Sequence, residues 1–320
     1  MGGAVELDAD ARSLTMTMEP AAIAAVAAAA QQFILREVES LRRDGAAVGV
    51  SGGLDSAVVA TLAARALGPE KVLALVMPDR DSDPRSTKDA LELVEQLGIR
   101  HKVVDLSPIL SQVGLYRMLP LQLVGWRGLQ SRVVRWFHRR YATALGEQPF
   151  DAMLEGTRDR GTPLLDRAIA YHRVKNRLRM TLTYYHAEQQ NLLVLGTCNR
   201  TELQVGLFVK YGDGAADTMP IGALYKTQVG QLGDYLGIPR SIQHKAPSPD
   251  LLPGLTDEDI LGLPYYLLDW VLSGLEQEDS PTLIAARVGL TETEVRRVAD
   301  LVRRSAPMRR WPPIGPWEPG

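Results

Sequence analysis

Short runs of apolar residues alternate along the chain with longer amphipathic stretches, the pattern expected when crossover helices pack onto a parallel sheet. The runs Ala46 to Val50, Val72 to Met77, Lys102 to Leu106 and Leu192 to Leu195 read as strands. Helices are expected over Ser56 to Leu67, Ser86 to Leu97, Lys175 to Gln189, Lys226 to Leu236 and Glu292 to Arg304. Another runs from about Glu19 to Arg43, with Pro20 in its first turn, where proline is tolerated. Strands buried on both faces read as continuous apolar runs, and crossover handedness then makes a doubly wound, Rossmann-like α/β sheet the expected fold. Residues 1–320 read as one such domain, with an arginine-rich segment at 111–171 inserted into it and a C-terminal tail at 306–320. In these sheets ligands sit at the carboxyl ends of the strands, so chemistry is sought just after each run.

Composition narrows the classes. The chain has 320 residues, 45% hydrophobic and 23% charged, enough apolar surface for a core. Lys plus Arg number 36 and Asp plus Glu 38, a net −2, without the basic excess of a nucleic-acid binder, so no nucleic-acid partner is expected. A lone cysteine, Cys198, permits neither an intramolecular disulfide nor a cysteine-rich zinc site, and a cytoplasmic location is expected. The apolar run Ala21 to Ala30 follows Glu6, Asp8 and Asp10 with only Arg12 for positive charge, the wrong flank for secretion. That run is also far short of the roughly 20 residues that span a bilayer, so no membrane association is expected.

After the first strand comes Gly49-Val50-Ser51-Gly52-Gly53-Leu54-Asp55-Ser56 and then an apolar helix. Adjacent glycines allow a tight bend and close approach to a ligand, and a helix start presents free N–H groups, so the segment reads as an anion cradle. It has neither the lysine of a Walker loop nor dinucleotide-fingerprint spacing. Asp55 beside phosphates would repel them unless a divalent cation lay between, which points to magnesium. The competing reading is a plain glycine turn with Asp55 as a helix cap.

The string SGGLDS resembles the loop of the PP-loop ATP pyrophosphatases, whose adenine-nucleotide α-hydrolase-like members transfer AMP to an oxygen and release pyrophosphate. Five further segments occur in the order and near-spacing of NAD synthetase: Asn176 to Met180, Gly196 to Glu202, Lys210 to Gly214, Pro220 to Thr227 and Lys245 to Leu251. The chain therefore resembles the ammonia-dependent NAD synthetases. The resemblance implies an AMP-forming amide ligase that adenylates the carboxylate of deamido-NAD and amidates it with ammonia. It implies that Ser51, Gly52, Gly53, Asp55, Ser56, Thr197, Lys226 and Ser248 hold ATP, and that Asp55 and Glu202 ligate Mg2+. Asp55, Glu202 and Lys226 would serve catalysis; Arg177, Lys210, Asp217, Met308 and Arg309 would contact the acceptor. A homodimer is implied, with the acceptor site near the subunit boundary. Taken alone, Glu202 also reads as a solvent-facing helix glutamate, and Arg177 and Arg179 as ordinary helix charges.

A fused thiol glutaminase needs its own cysteine and a large extra domain, so ammonia is expected from solution or from a separate glutaminase subunit. Departures from the family pattern keep open a ligase acting on a different small-molecule carboxylate. Val209 stands where a threonine is usual, Met308 where a histidine is, and Arg309 where a lysine is. The segment 111–171 is longer than the usual connector. Val133, Phe137 and Tyr141 recur every four positions there among Arg132, Arg135, Arg139 and Arg140, reading as a pocket wall, a partner-docking helix or a solvated helix. From Thr282, TLIAARVGLTETEVRRV also has the outline of a DNA-reading helix-turn-helix.

Overall fold

The computed structural model of the chain describes residues 16–118, 150–151, 154, 163–247 and 256–315. Its centre is a parallel sheet of β1 (Gly45–Gly49), β2 (Val72–Val76), β3 (Arg100–Val103) and β4 (Leu192–Leu195), in the order β3-β2-β1-β4. Ala46 pairs with Val72, Gly45 with Leu192 and Leu73 with Arg100. From β1 the chain moves outward to β2 and β3, then returns to place β4 on the other side of β1. The strand order therefore reverses between β1 and β4, which opens a crevice at their carboxyl ends.

Successive strand residues point to opposite faces, and both faces are covered. Ala46, Val48, Ala74 and Val76 enter one core with α1 (Pro20–Ser40), α2 (Leu54–Leu67) and α3 (Pro84–Gln96). Ala47, Leu73, Leu75 and Met77 face the other, with α4 (Ser107–Gln112), α5 (Leu115–Met118) and α6 (Pro163–Glu188). α2 lies between the sheet, α1 and α8 (Lys226–Leu236), which explains its apolar composition all round: every residue from Ser56 to Ala64 is buried. A further core joins α7 (Arg200–Val205) to α10 (Asp257–Leu261), α11 (Tyr265–Glu276), α12 (Pro281–Val288) and α13 (Glu292–Ser305); α9 (Arg240–Gln243) follows α8.

Three elements differ from the sequence expectation. β3 lies at Arg100–Val103 rather than Lys102 to Leu106, because the apolar run there marks where the chain turns into the core at Leu106, while the edge strand itself is exposed. α6 begins at Pro163, twelve residues before Lys175, so the last part of the 111–171 segment belongs to a continuous helix. The amphipathic stretch at 129–145 lies outside the described residues. α1 spans 21 residues and, among the described residues, is the one helix long and apolar enough by length and composition to cross a membrane, which its alanine run alone is not. It packs Ala27, Ala30, Ile34 and Val38 against the domain. In the segment with the helix-turn-helix outline, α12 and α13 bury Ile284, Val288, Val295, Val298 and Leu301, and Arg297 of the second helix turns inward to Asp151 and the Leu261 carbonyl.

Candidate active site

The bend after β1 is shaped by Gly52, whose φ of +77° lies in the left-handed region. A Cβ there would stand 2.1 Å from the Ser86 carbonyl oxygen, so glycine is required both by conformation and by space. The Ser51 N–H donates to the Ser56 hydroxyl at 3.2 Å, which itself donates to the Gly53 carbonyl at 3.0 Å. These bonds hold the bend from within. α2 then starts at Leu54 with Gly53 as its N-cap and no side-chain cap, leaving its positive end for a ligand.

Across the crevice, β4 leads through Gly196 and Thr197 to Asn199, which caps α7. The Asn199 side chain accepts the Glu202 N–H at 3.0 Å, and the Glu202 carboxylate accepts the Asn199 N–H at 3.2 Å. This capping box fixes both side chains. The Asn199 amide also donates to Asp55 at 3.0 Å, joining the two sides of the switch point. Lys226, at the start of α8, projects between them, ion-paired with Asp55 and 3.7 Å from Glu202. Tyr265 donates to Asp257 at 2.9 Å, adding a third carboxylate to the same field.

Electrostatics follow from burial. Burial raises the Glu202 carboxyl well above the usual range, and the Asp55 charge adds to that. Burial opposes the charge of Lys226, but Asp55, Glu202 and Asp257 outweigh it and raise the ammonium's pKa. Three carboxylates and one ammonium leave a formal −2 when all are ionised, a charge that one divalent cation matches. Among the described residues no group of three His, Cys, Asp or Glu could by itself hold a metal. Two converging carboxylates nevertheless fit magnesium, which characteristically takes one or two carboxylates and completes its shell with waters and substrate phosphates.

The cluster opens into a cavity of about 1500 Å³, larger than the 300–1,000 Å³ of a usual small-molecule site. Behind the lining residues Asp81 and Arg179, Lys175, 1% exposed, bonds Asp79 at 2.9 Å and Asp81 at 2.8 Å, and Arg179 reaches Asp79 at 3.0 Å. These pairs tie α6 to the loop after β2. His172 lines the cavity; burial pushes it down to about 3, with the charges of Arg179, Arg173 and Lys175 adding. Lys245 donates to the Gly52 carbonyl at 2.8 Å and pairs with Asp89 at 2.5 Å, bridging the glycine bend to α3.

Ser51, Gly52, Gly53, Asp55, Ser56, Thr197, Glu202, Lys226 and Met308 all line this cavity. Arg177, Lys210, Asp217 and Arg309 do not. Arg177 donates to the Lys210 carbonyl at 3.4 Å, and Lys210 itself holds the C-terminal segment through the Pro307 and Arg310 carbonyls at 3.0 and 2.9 Å. Asp217 accepts the Val194 N–H at 2.8 Å and the Tyr184 hydroxyl at 3.1 Å, fixing the edge of β4. Arg309 caps the ends of α7 and α13 through the carbonyls of Leu203 at 2.9 Å and Val302 at 3.0 Å. Ser248 lies outside the described residues. Cys198 is buried, and burial raises its thiol, as suits a packed residue rather than a nucleophile. Sequence reading missed Asn199, Asp257 and Lys245 as site groups, although the spacing of Asn199 and Glu202 is that of a capping box.

A family model for NAD synthase matches residues 26–119 and 137–312, the unmatched stretch between them falling inside the arginine-rich segment. The ammonia-dependent NAD(+) synthetase of Coprothermobacter proteolyticus is 44% identical over 247 residues, 77% of this chain and 83% of that protein. That of Hyperthermus butylicus is 39% identical over 290 residues, 90% and 89% of the two chains. Among solved structures, the NMN synthetase of Francisella tularensis superposes with a TM-score of 0.67 at 27% identity, over 92% of this chain and 99% of that one. The ammonia-dependent NAD synthetase of Campylobacter jejuni superposes with a TM-score of 0.63 at 25% identity, over 93% of this chain and all of that one. A switch point built from SGGLDS and Gly196 to Glu202, together with a match running nearly the length of the chain, places this protein in the NAD synthase family.

Proposed function

We propose that the chain adenylates the nicotinate carboxylate of deamido-NAD with ATP and amidates it with ammonia, giving NAD, AMP and pyrophosphate. The observation that carries this reading is the meeting of Asp55 and Glu202, from opposite sides of the switch point, on the Lys226 ammonium beside an uncapped helix start. Bound at Asp55 and Glu202, Mg2+ would neutralise the phosphate charge and withdraw electron density from the departing pyrophosphate. Lys226 and the N–H groups at the start of α2 stabilise the same developing charge. The substrate carboxylate attacks the α-phosphorus, pyrophosphate leaves, and ammonia then displaces AMP from the acyl adenylate. AMP is the activating group, so no side chain of the protein need act as a covalent nucleophile. The protein positions the reactants, which alone can supply several kcal/mol of rate enhancement.

The cavity is large enough for two nucleotides, while Arg177 and Lys210 stand outside it on the surface. We place the acceptor's far end against a second copy of the chain, as a homodimer would bring it, and ammonia arrives from solution or from a separate glutaminase. Because a relative named for NMN synthesis shares this fold, the deciding assay runs deamido-NAD, the deamido form of NMN and a panel of unrelated carboxylic acids side by side with ATP, Mg2+ and ammonium. Preferred turnover of deamido-NAD supports the proposal. Turnover of another acid, with none of deamido-NAD, overturns the acceptor assignment.

A further inference from the structure

We propose that Asp269 is a positioning residue that sets the separation and orientation of Glu202 and Lys226, two site groups carried by different helices; the inference rests on the function proposed above. Asp269 sits in α11, fully buried and without a place in the cavity lining. Its first oxygen accepts the Thr201 hydroxyl at 2.6 Å. Its second accepts both the Thr227 N–H at 2.9 Å and the Thr227 hydroxyl at 2.7 Å. Thr201 immediately precedes Glu202 in α7, and Thr227 immediately follows Lys226 in α8. The Lys226 N–H closes the circuit by donating to the Thr201 hydroxyl oxygen at 3.0 Å.

A hydroxyl has one proton. That of Thr201 is committed to Asp269, so the chain runs in one direction, from the Lys226 N–H through Thr201 to the carboxylate. Asp269 raises a question a packing role does not answer, since an apolar residue fills such a place without the desolvation cost of a buried carboxylate. What the carboxylate adds is direction: it takes bonds from the first turns of two helices and ties each to the other. If it slips, the Glu202 carboxylate, which would hold Mg2+, and the Lys226 ammonium no longer converge on the same phosphate group.

The test uses the full chain and three variants, Asp269→Asn, Thr201→Val and Thr201→Ser. Asp269→Asn keeps the shape but turns one acceptor into a donor, so either the Thr227 N–H or the Thr201 proton loses its partner. Calorimetric binding of the magnesium complex of α,β-methylene-ATP, which cannot be cleaved at the reacting bond, gives a readout independent of turnover. It is read beside melting temperature and the KM for deamido-NAD. We expect Asp269→Asn and Thr201→Val to bind the magnesium nucleotide about tenfold more weakly, the loss of one well-directed hydrogen bond. Thr201→Ser should bind it as the parent does, and KM for deamido-NAD should hold. Nucleotide binding at parental strength in a folded variant whose melting temperature alone has dropped would overturn the inference, as would Thr201→Ser behaving like Thr201→Val. Should Asp269→Asn not fold, the threonine pair decides. A parent protein that fails to bind the nucleotide overturns the proposed function and this inference with it.

Discussion

Lys226 carries one positive charge among three carboxylates, so a triphosphate meets net negative charge there when all are ionised. In the mechanism proposed above, a divalent cation held by Asp55 and Glu202 would offset that charge. Asp55→Asn keeps the bond from Asn199 but halves the local carboxylate charge available to the metal. AMP formation should fall by roughly 10²–10³-fold, the scale of losing one preorganised electrostatic contact, while the melting temperature changes little; near-normal AMP release with saturating magnesium contradicts the assigned role. Gly52→Ala is a different kind of probe. The added methyl meets the Ser86 carbonyl in a left-handed backbone conformation, so stability should drop by on the order of 1–3 kcal/mol, read from the urea midpoint. His172 supplies the pH test. Its folded pKa of about 3 lies below the ordinary 6.5, so the unfolded chain takes up a proton that the native chain refuses. Stability is present above about pH 6.5 and is lost as pH falls toward 3, at up to about 1.4 kcal/mol per pH unit. His172→Gln should flatten that part of the curve, and an unchanged slope would remove His172 as its source. The loop glycines, Asp55, Glu202 and Lys226 were legible because motif spacing carried them. Asn199, Asp257 and Asp269 were not, since what matters about each is a partner far away in the chain: Asp55 for Asn199, Lys226 for Asp257 and Thr201 for Asp269.

At the scale of elements, the strands that frame the crevice are short apolar runs and were readable as such. β1, β2 and β4 lie within a residue of their expected ends, because burial on both faces leaves little choice of residue type. β3 is an edge strand with all four residues exposed, so the hydrophobic signal fell on the following turn instead. α6 was half seen: its apolar residues form no one-sided stripe along its length, so periodicity did not reveal the part ahead of Lys175. α2 is the element on which the site depends most, since it carries the glycine bend and Asp55 while packed on three sides. Leu62→Ala, in its fully buried centre, should destabilise the protein by about 2–5 kcal/mol through the cavity it leaves. Nucleotide affinity of the remaining folded protein should stay close to that of the parent. A variant as stable as the parent would show that α2 tolerates voids, contrary to its complete burial.

For the whole molecule, the sheet explains where the chemistry lies and the C-terminal helices explain how it is held. α11 to α13 form their own core beneath α7, so Glu202 and Lys226 are supported from a layer that the Rossmann-like sheet alone does not contain. The sequence pattern announced the sheet, whereas of this supporting layer it showed only the helix over Glu292 to Arg304 and a helix-turn-helix outline. Two arginines of α13, Arg297 and Arg304, instead serve the fold, both turning to Asp151. The central claim, that this site joins ammonia to a carboxylate through an adenylate, is tested most directly by the fate of 18O. Deamido-NAD labelled in its nicotinate carboxylate should be turned over with ATP, Mg2+ and ammonium, and the products read by mass spectrometry. The account predicts one labelled oxygen transferred to AMP for each NAD formed, with unlabelled pyrophosphate; label appearing in inorganic phosphate with ADP as the nucleotide product would contradict it.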